Sequence, residues 1–369
     1  MKKSTSRTTV AKRRERTEWQ RVMTIGIDLS DRLSHCCAID DEGSIVFEFR
    51  VATDAEAFAK AFGRIKSKTI AIETGTHSPW VSRLLESFGH RVIVANSRKL
   101  RFIFKNRRKD DAVDARSLAR VARLDPQLLD GIRHRGEKAQ SDLELLRARD
   151  LIVGARTRLI NHVRGAVKSF GKRLPQCSPE ALPTRAKATI PAALSRSLEP
   201  LLKLIDELSK QIRRYDRAVE ELARSEYPET KLLQEVGGVG ALTALAFVLT
   251  IDDGVRFRRS RSVGAWLGLV PAKDDSGERR PQMPISKEGD HYVRRLLVGS
   301  AQYILGHFGR DSDLRRHGLR IAARGGKNAK KRAVVAVARK LSVLLHHLWM
   351  TKSAYEPLFN SKQESAVAA

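Results

Sequence analysis

The sequence predicts an α/β domain followed by two mainly helical segments, a class best written as α/β plus all-α. Three observations carry this. Between residues 23 and 125, short β-branched runs alternate with amphipathic stretches; between 140 and 227, apolar residues recur at heptad spacing; and from Lys231 onward a glycine-rich turn leads into apolar and basic helices.

Taken in order, "MTIGIDLS", "HCCAID" and "SIVFEFRV" read as a meander of three strands, with a turn at Asp40-Asp41-Glu42-Gly43 between the second and third. An amphipathic helix over 55–65 follows, then a strand "TIAIET", a helix over 80–88, a strand "RVIVAN" and a helix over 111–123. Three strands followed by alternating helices and strands is the order of ribonuclease H-like folds; order by itself is an analogy of fold and assigns no activity.

The central region is expected to be helical. Leu201, Ile205, Leu208, Ile212, Tyr215, Val219 and Leu222 alternate spacings of four and three, and Leu146, Val153, Ile160 and Val167 repeat every seven residues on an earlier helix. A proline-rich segment, "RLPQCSPEALPTRAKATIP", must interrupt them. The pattern fits a helical hairpin within one chain, and equally a stripe that also pairs two chains. In the third region, "VGGVGALTALAFVL" reads as a helix-hairpin-helix-like element whose Gly238 and Gly240 allow a turn with backbone N–H groups facing a phosphate; a plain helix-helix turn has the same appearance. Expected boundaries are a basic, disordered arm over 1–21, the α/β domain over 22–130, the helical coiled-coil region over 131–230, the C-terminal domain over 231–358, and a disordered tail over 359–369.

Charge points to the partner. The 369 residues include 70 Lys and Arg against 42 Asp and Glu, a formal net charge of +28, which fits a polyanion. Only 6% of residues are aromatic, so phosphate contacts should dominate over base stacking. Three cysteines without metal-ligand spacing fit a reducing cytoplasm. The longest uncharged apolar run, Val236 to Ile251, opens with glycines and reads as a buried helix, so no membrane partner is expected. The first 21 residues lack the apolar core of a secretory signal; they read as a nucleic-acid-binding arm, with an organellar transit peptide as the competing interpretation.

Against this basic background, "KDDAVDAR" places three carboxylates within five positions. Asp28 ends the first strand and Glu73 the fourth, while Asp111 and Asp114 share one face at the start of a helix. Such acids at one sheet edge would hold Mg²⁺ or Mn²⁺ beneath a phosphate ester. Each has a duller explanation: Asp110 or Asp111 caps the helix, Asp28 is a strand-end residue, Glu73 pairs with an arginine. Asp110 also competes with Asp111 as ligand, because Asp110 and Asp114 would share a face at i, i+4.

"GIDLS", "AIETG", "KDDAVDAR", "VGGVGALTALAF", "RSVGAWLGLVP", "SGERR", "ISKEGDHYVRRLL" and "KKRAVVAVARKL", in this order, resemble the DEDD transposases of bacterial insertion sequences, the IS-one-ten family. The resemblance runs from about Thr24 to Leu358. It implies an N-terminal RuvC-like domain with Asp28, Glu73, Asp111 and Asp114 as ligands of Mg²⁺ or Mn²⁺, which favours Asp111 over Asp110, and a C-terminal transposase domain whose serine nucleophile falls on Ser276. It further implies a site-specific DNA recombinase, guided in many members by a bridge RNA, and a coiled coil supporting dimers or tetramers with composite active sites.

Physical reasoning on the serine is less specific. A neutral hydroxyl attacking phosphorus needs help with its proton and cations on the phosphoryl oxygens. Arg279, Arg280, Lys287, Arg294 and Arg295 are near in sequence, and Lys330, Lys331 and Arg332 add basic charge later; these and the two glycines are the expected nucleic-acid contacts. Asp274 and Asp275 before Ser276 depart from the more neutral residues of the family pattern, and Gly237 stands where proline is common. Ser-Gly in a polar loop is ordinarily a turn, and Ser286 competes as nucleophile. Two other functions stay open: a RuvC-like nuclease or junction resolvase in which water attacks, and a nonenzymatic nucleic-acid-binding protein.

Overall fold

Five strands form one sheet in the order β3-β2-β1-β4-β5, with β1 at Thr24–Asp28, β2 at Leu33–Ile39, β3 at Ile45–Ala52, β4 at Thr69–Glu73 and β5 at Arg91–Ala95. The first three make the antiparallel meander, and β4 and β5 run parallel to β1. The turn between β2 and β3 is set by local chemistry: Asp40 Oδ1 accepts from the N–H groups of Glu42 at 3.1 Å and Ser44 at 2.9 Å, and Gly43 takes a φ of 86°. This is a computed structural model; it describes residues 17–100, 110–279, 281 and 283–360. Most of the expected N-terminal arm, nearly all of the expected tail, and Arg280 lie outside the described residues.

The chain divides into two compact units, 1–134 and 135–369. In the first, α1 (Ala55–Phe62) and α2 (Ser78–Ser87) cover one face of the sheet, burying Phe58, Phe62, Val81 and Leu85 against Ile25, Ile27, Ile70 and Ile72. The opposite face belongs to α3 (Asp111–Leu124), which lays Ala115, Leu118, Ala119 and Ala122 over Cys37, Ile39, Ala71, Ile93 and Ala95. Small residues on both surfaces allow close approach. A Cβ added at Gly26 of β1 would lie 2.1 Å from the Ala115 carbonyl oxygen and 2.4 Å from the Ala119 nitrogen, so strand and helix backbones are effectively in contact.

The second unit begins with an antiparallel hairpin of two long helices, α4 (Glu137–Ser169) and α5 (Ala192–Ser225). Of the expected stripe, Ile205, Ile212 and Val219 are buried and Leu201, Leu208, Tyr215 and Leu222 half-buried; on α4, Leu146 and Val167 are buried and Val153 and Ile160 half-buried. Two apolar clusters lie along the hairpin, one around Val163, Val167, Leu198 and Leu202, the other containing Leu143, Leu146, Val219 and Ala223. Polar pairs lie between them: Arg149 meets Asp216 at 2.5 Å, and buried Arg156 donates to Glu180 Oε1 at 2.6 Å and Ser209 Oγ at 3.1 Å.

Beyond the hairpin come α6 (Glu229–Leu233), α7 (Ala241–Ile251), α8 (Arg261–Trp266), α9 (His291–Leu305), α10 (Asp313–Ala323) and α11 (Ala329–Thr351). Almost every side chain of α7 is buried, at the centre of a core that also takes in Leu143 and Leu146 of α4 and Val219 of α5. One hydrophobic core therefore runs across position 230. Among the described residues, α11 alone is long and apolar enough by length and composition to cross a membrane; its Val337, Ala338, Leu341 and Leu345 are buried in this same core.

Candidate active site and nucleic-acid-binding residues

The acids of the first unit are gathered by regular structure. Asp28 and Glu73 are the last residues of the neighbouring parallel strands β1 and β4, whose register pairs Ile27 with Ile72. The contact at Gly26 fixes α3 across β1, and Asp111 and Asp114 stand in its first turn. Asp110 is the N-cap: its side chain accepts from the Ala112 N–H at 3.1 Å. Asp110 thus serves the helix end, and the side chain of Asp111 beside it is 61% exposed.

Two histidines that the sequence reading missed border this edge. His35 is the antiparallel partner of Asp28 on β2, and its Nε2 lies 3.9 Å from Asp111 Oδ2 at the start of α3, beyond hydrogen-bond distance. His77 stands four residues after Glu73 and just before α2; its Nδ1 accepts from Trp80 Nε1 at 3.1 Å, and its Nε2 lies 3.4 Å from Asp31 Oδ1. The signal for His35 was available: a three-strand meander with a short β1-β2 connection places a β2 residue opposite Asp28. His77 had no comparable pattern.

The four acids suit a hard divalent cation chemically, because all are carboxylates. Among the described residues, however, no three His, Cys, Asp or Glu side chains converge into a closed ligand set. Strand ends and helix start thus bring these carboxylates to one side of the sheet without closing them around a point.

In the second unit, residues 271–286 fold back as a hairpin, with paired bridges at Pro271 and Ile285 and at Ser276 and Arg279. Ser276 and Arg279 exchange backbone bonds of 3.1 and 3.0 Å across a two-residue turn, Gly277-Glu278, in which Gly277 takes a φ of 55°. Ser276 is exposed at the hairpin tip. Ser286 lies at the other end: its N–H donates to the Val270 carbonyl at 2.8 Å, and its Oγ accepts from the Glu288 N–H at 3.4 Å, consistent with an end-of-loop role.

The expected nucleic-acid contacts fare unequally. Arg279, Lys287, Lys330, Lys331 and Arg332 are exposed, and Lys287 has a left-handed φ of 57°. Arg295 is half-exposed, paired with Asp150 and lying over the Tyr292 ring. Arg294 departs from the expectation: it is buried and donates to the carbonyls of Leu267 at 2.9 Å and Glu288 at 2.6 Å, so its guanidinium locks the end of the 271–286 loop to α8. Gly238 has a packing reason to be glycine, with a φ of 87° and space for a Cβ closed off by Tyr303 at 2.9 Å; Gly240 is exposed and opens α7 in extended backbone. Burial, reinforced by Lys340, Arg320 and Arg324, holds His317 below the ordinary histidine value, which marks a convergence of positive charge on α10 and α11.

Two family models match the chain: a DEDD-type model described as a transposase over residues 25–171, and one described as the transposase IS116/IS110/IS902 family over residues 230–317. The first span holds all four acids and the second holds Ser276. Over nearly its whole length the chain is similar to the transposase for insertion sequence element IS1111A of Coxiella burnetii, at 27% identity covering 95% of each chain. It is 28% identical to a probable family 20 transposase of Pseudomonas aeruginosa, covering 90% of this chain and 98% of that one. A third relative, the transposase for insertion sequence element IS1328 of Yersinia enterocolitica, is 26% identical over 76% of this chain and 83% of its own.

Proposed function

The chain belongs to the IS110 family of insertion-sequence transposases, and from that premise we propose that it cuts and rejoins DNA by transesterification with Ser276 as nucleophile. The observation that carries this is the gathering of Asp28, Glu73, Asp111 and Asp114 at one sheet edge of a chain with net charge +28. The strand order β3-β2-β1-β4-β5 supports reading the first unit as RuvC-like.

In the proposed reaction the Ser276 Oγ–P bond forms as the P–O bond of the DNA strand breaks, and the departing DNA oxygen is protonated. The phosphate is held as a phosphoserine ester until a different DNA hydroxyl attacks it and restores the serine. Bond energy is conserved, so no nucleotide triphosphate is required. Exposed Asp275 is positioned in sequence to take the serine proton, and Arg279 and Lys287 to offset charge on the phosphoryl oxygens. Asp28, Glu73, Asp111 and Asp114 would hold Mg²⁺ or Mn²⁺, which when bound supplies positive charge where the phosphorane develops its own negative charge.

Partners follow from the same reading. DNA is the substrate, a bridge RNA from the element's end supplies sequence choice by base pairing, and basic residues read backbone and shape. Self-association into dimers or tetramers is supported by Leu151 and Leu204, which are 69% and 45% exposed on the helical hairpin. The setting is the bacterial cytoplasm. The test is strand exchange between element-end and target DNA. Asp28→Ala and Ser276→Ala should each abolish exchange while leaving DNA binding in place; exchange that survives Ser276→Ala but not Asp28→Ala would replace serine by water as the nucleophile.

A further inference from the structure

His77 lies just beyond the strand end that carries Glu73. It follows β4 by four residues, precedes α2, and belongs to the same strand-end edge as Asp28 and Glu73. Among the described residues, its ring has one hydrogen bond, on the Nδ1 side. Tryptophan has a donor and no acceptor, so the 3.1 Å bond from Trp80 Nε1 requires Nδ1 to be unprotonated. The imidazole proton is thereby fixed on Nε2. Trp80 is itself held, packing edge-on against buried Phe58 with ring centroids 5.5 Å apart, so the imidazole orientation derives from the core.

The other side of the ring has a weak partner. Asp31 Oδ1 is 3.4 Å from Nε2, beyond a good hydrogen bond, and the Asp31 side chain is 96% exposed in the loop that follows Asp28. A contact whose purpose was to pin two loops would gain little from so solvated a carboxylate. His77 is also the N-cap of α2 and makes no side-chain capping bond, so the positive end of a ten-residue helix opens at the same point.

We propose that His77 is a further substrate-contacting residue of this edge, donating its Nε2–H to a phosphate oxygen of the nucleic acid, with Asp31 as the partner that holds the proton when no phosphate is present. Trp80 is then a positioning residue that selects the tautomer. This rests on the reading of the first unit as the edge that meets DNA.

The experiment measures binding of full-length protein, supplied with RNA transcribed from the element's end, to a labelled DNA duplex carrying that end. Thermal unfolding is followed in parallel. His77→Ala should weaken binding about five-fold, the loss of one neutral hydrogen bond, with no change in melting temperature. His77→Gln, whose amide N–H can occupy the Nε2 position, should restore affinity. Trp80→Phe should cost less than His77→Ala, and Asp31→Ala should bind at least as well as the unaltered chain. Unchanged binding by His77→Ala, or equal losses in His77→Ala and Asp31→Ala with a shared drop in melting temperature, would overturn the proposal while leaving DNA binding intact. Failure of the unaltered chain to bind the duplex would overturn the underlying reading and the proposal with it.

Discussion

The acid edge of the first unit and the serine hairpin of the second are built by opposite means. Asp28 and Glu73 terminate adjacent strands, and Asp111 and Asp114 start a helix pressed onto β1 until backbone meets backbone. Ser276 instead stands at the tip of an exposed hairpin, fixed by two backbone hydrogen bonds across a turn. On the proposed function the contrast has a reason: groups that share a cation need common, rigid supports, whereas a nucleophile that enters DNA and leaves it can be carried on a loop.

The same substitution should separate the two designs. Gly26→Ala forces a Cβ to 2.1 Å from a helix carbonyl, so α3 must shift away from β1 and take Asp111 and Asp114 with it. We expect a loss of about 3 kcal/mol of stability from overpacking, together with loss of strand exchange; calorimetry and an exchange assay would check both. Gly277→Ala meets nothing within 4 Å, and its cost is confined to a left-handed φ of 55°. About 1 kcal/mol of strain is expected, seen as reduced exchange with a melting temperature lowered by only about 2–4 °C. Equal global destabilisation by both variants would remove the distinction between the two supports.

A smaller effect should appear with pH. His90 links the first unit's sheet to α1: its Nδ1 accepts from the Lys68 N–H at 3.2 Å and its Nε2 donates to the Phe62 carbonyl at 3.1 Å. Burial, with Lys68 adding to it and the Phe62 carbonyl opposing it, holds its pKa below the ordinary histidine value of 6.5. The unfolded chain therefore binds a proton that the folded chain resists, so stability is present above pH 6.5 and declines as pH falls towards the folded-state value. His90→Gln should flatten that decline in denaturant titrations at successive pH values, and no pH dependence attributable to His90 would contradict its neutral, doubly bonded state.

Much of the first unit was legible because its signals are local. β-Branched runs gave the five strands, Asp40 and Gly43 the turn, and "KDDAVDAR" the start of α3. The close approach at Gly26 was not, since it depends on which face α3 covers. Charge pattern misplaced Arg294, because whether a guanidinium faces solvent or backbone carbonyls is decided by a fold-back of the 271–286 loop that residue type does not encode. The long α4 and α5 followed from their heptads, but the core shared across position 230 depends on α7, whose uniformly apolar sequence carries no periodicity to show its neighbours. Ser276 was reached by resemblance; spacing and residue type alone left it one turn serine among others.

The central claim is covalent chemistry at Ser276, and the most direct test is mass spectrometry of the protein expressed with its native flanking DNA and purified under denaturing conditions. A nucleotide joined to the peptide containing Ser276 is the predicted result. DNA that is demonstrably cut or joined in the same cells, with every serine unmodified even when the resolving step is blocked by withholding target DNA, would contradict it.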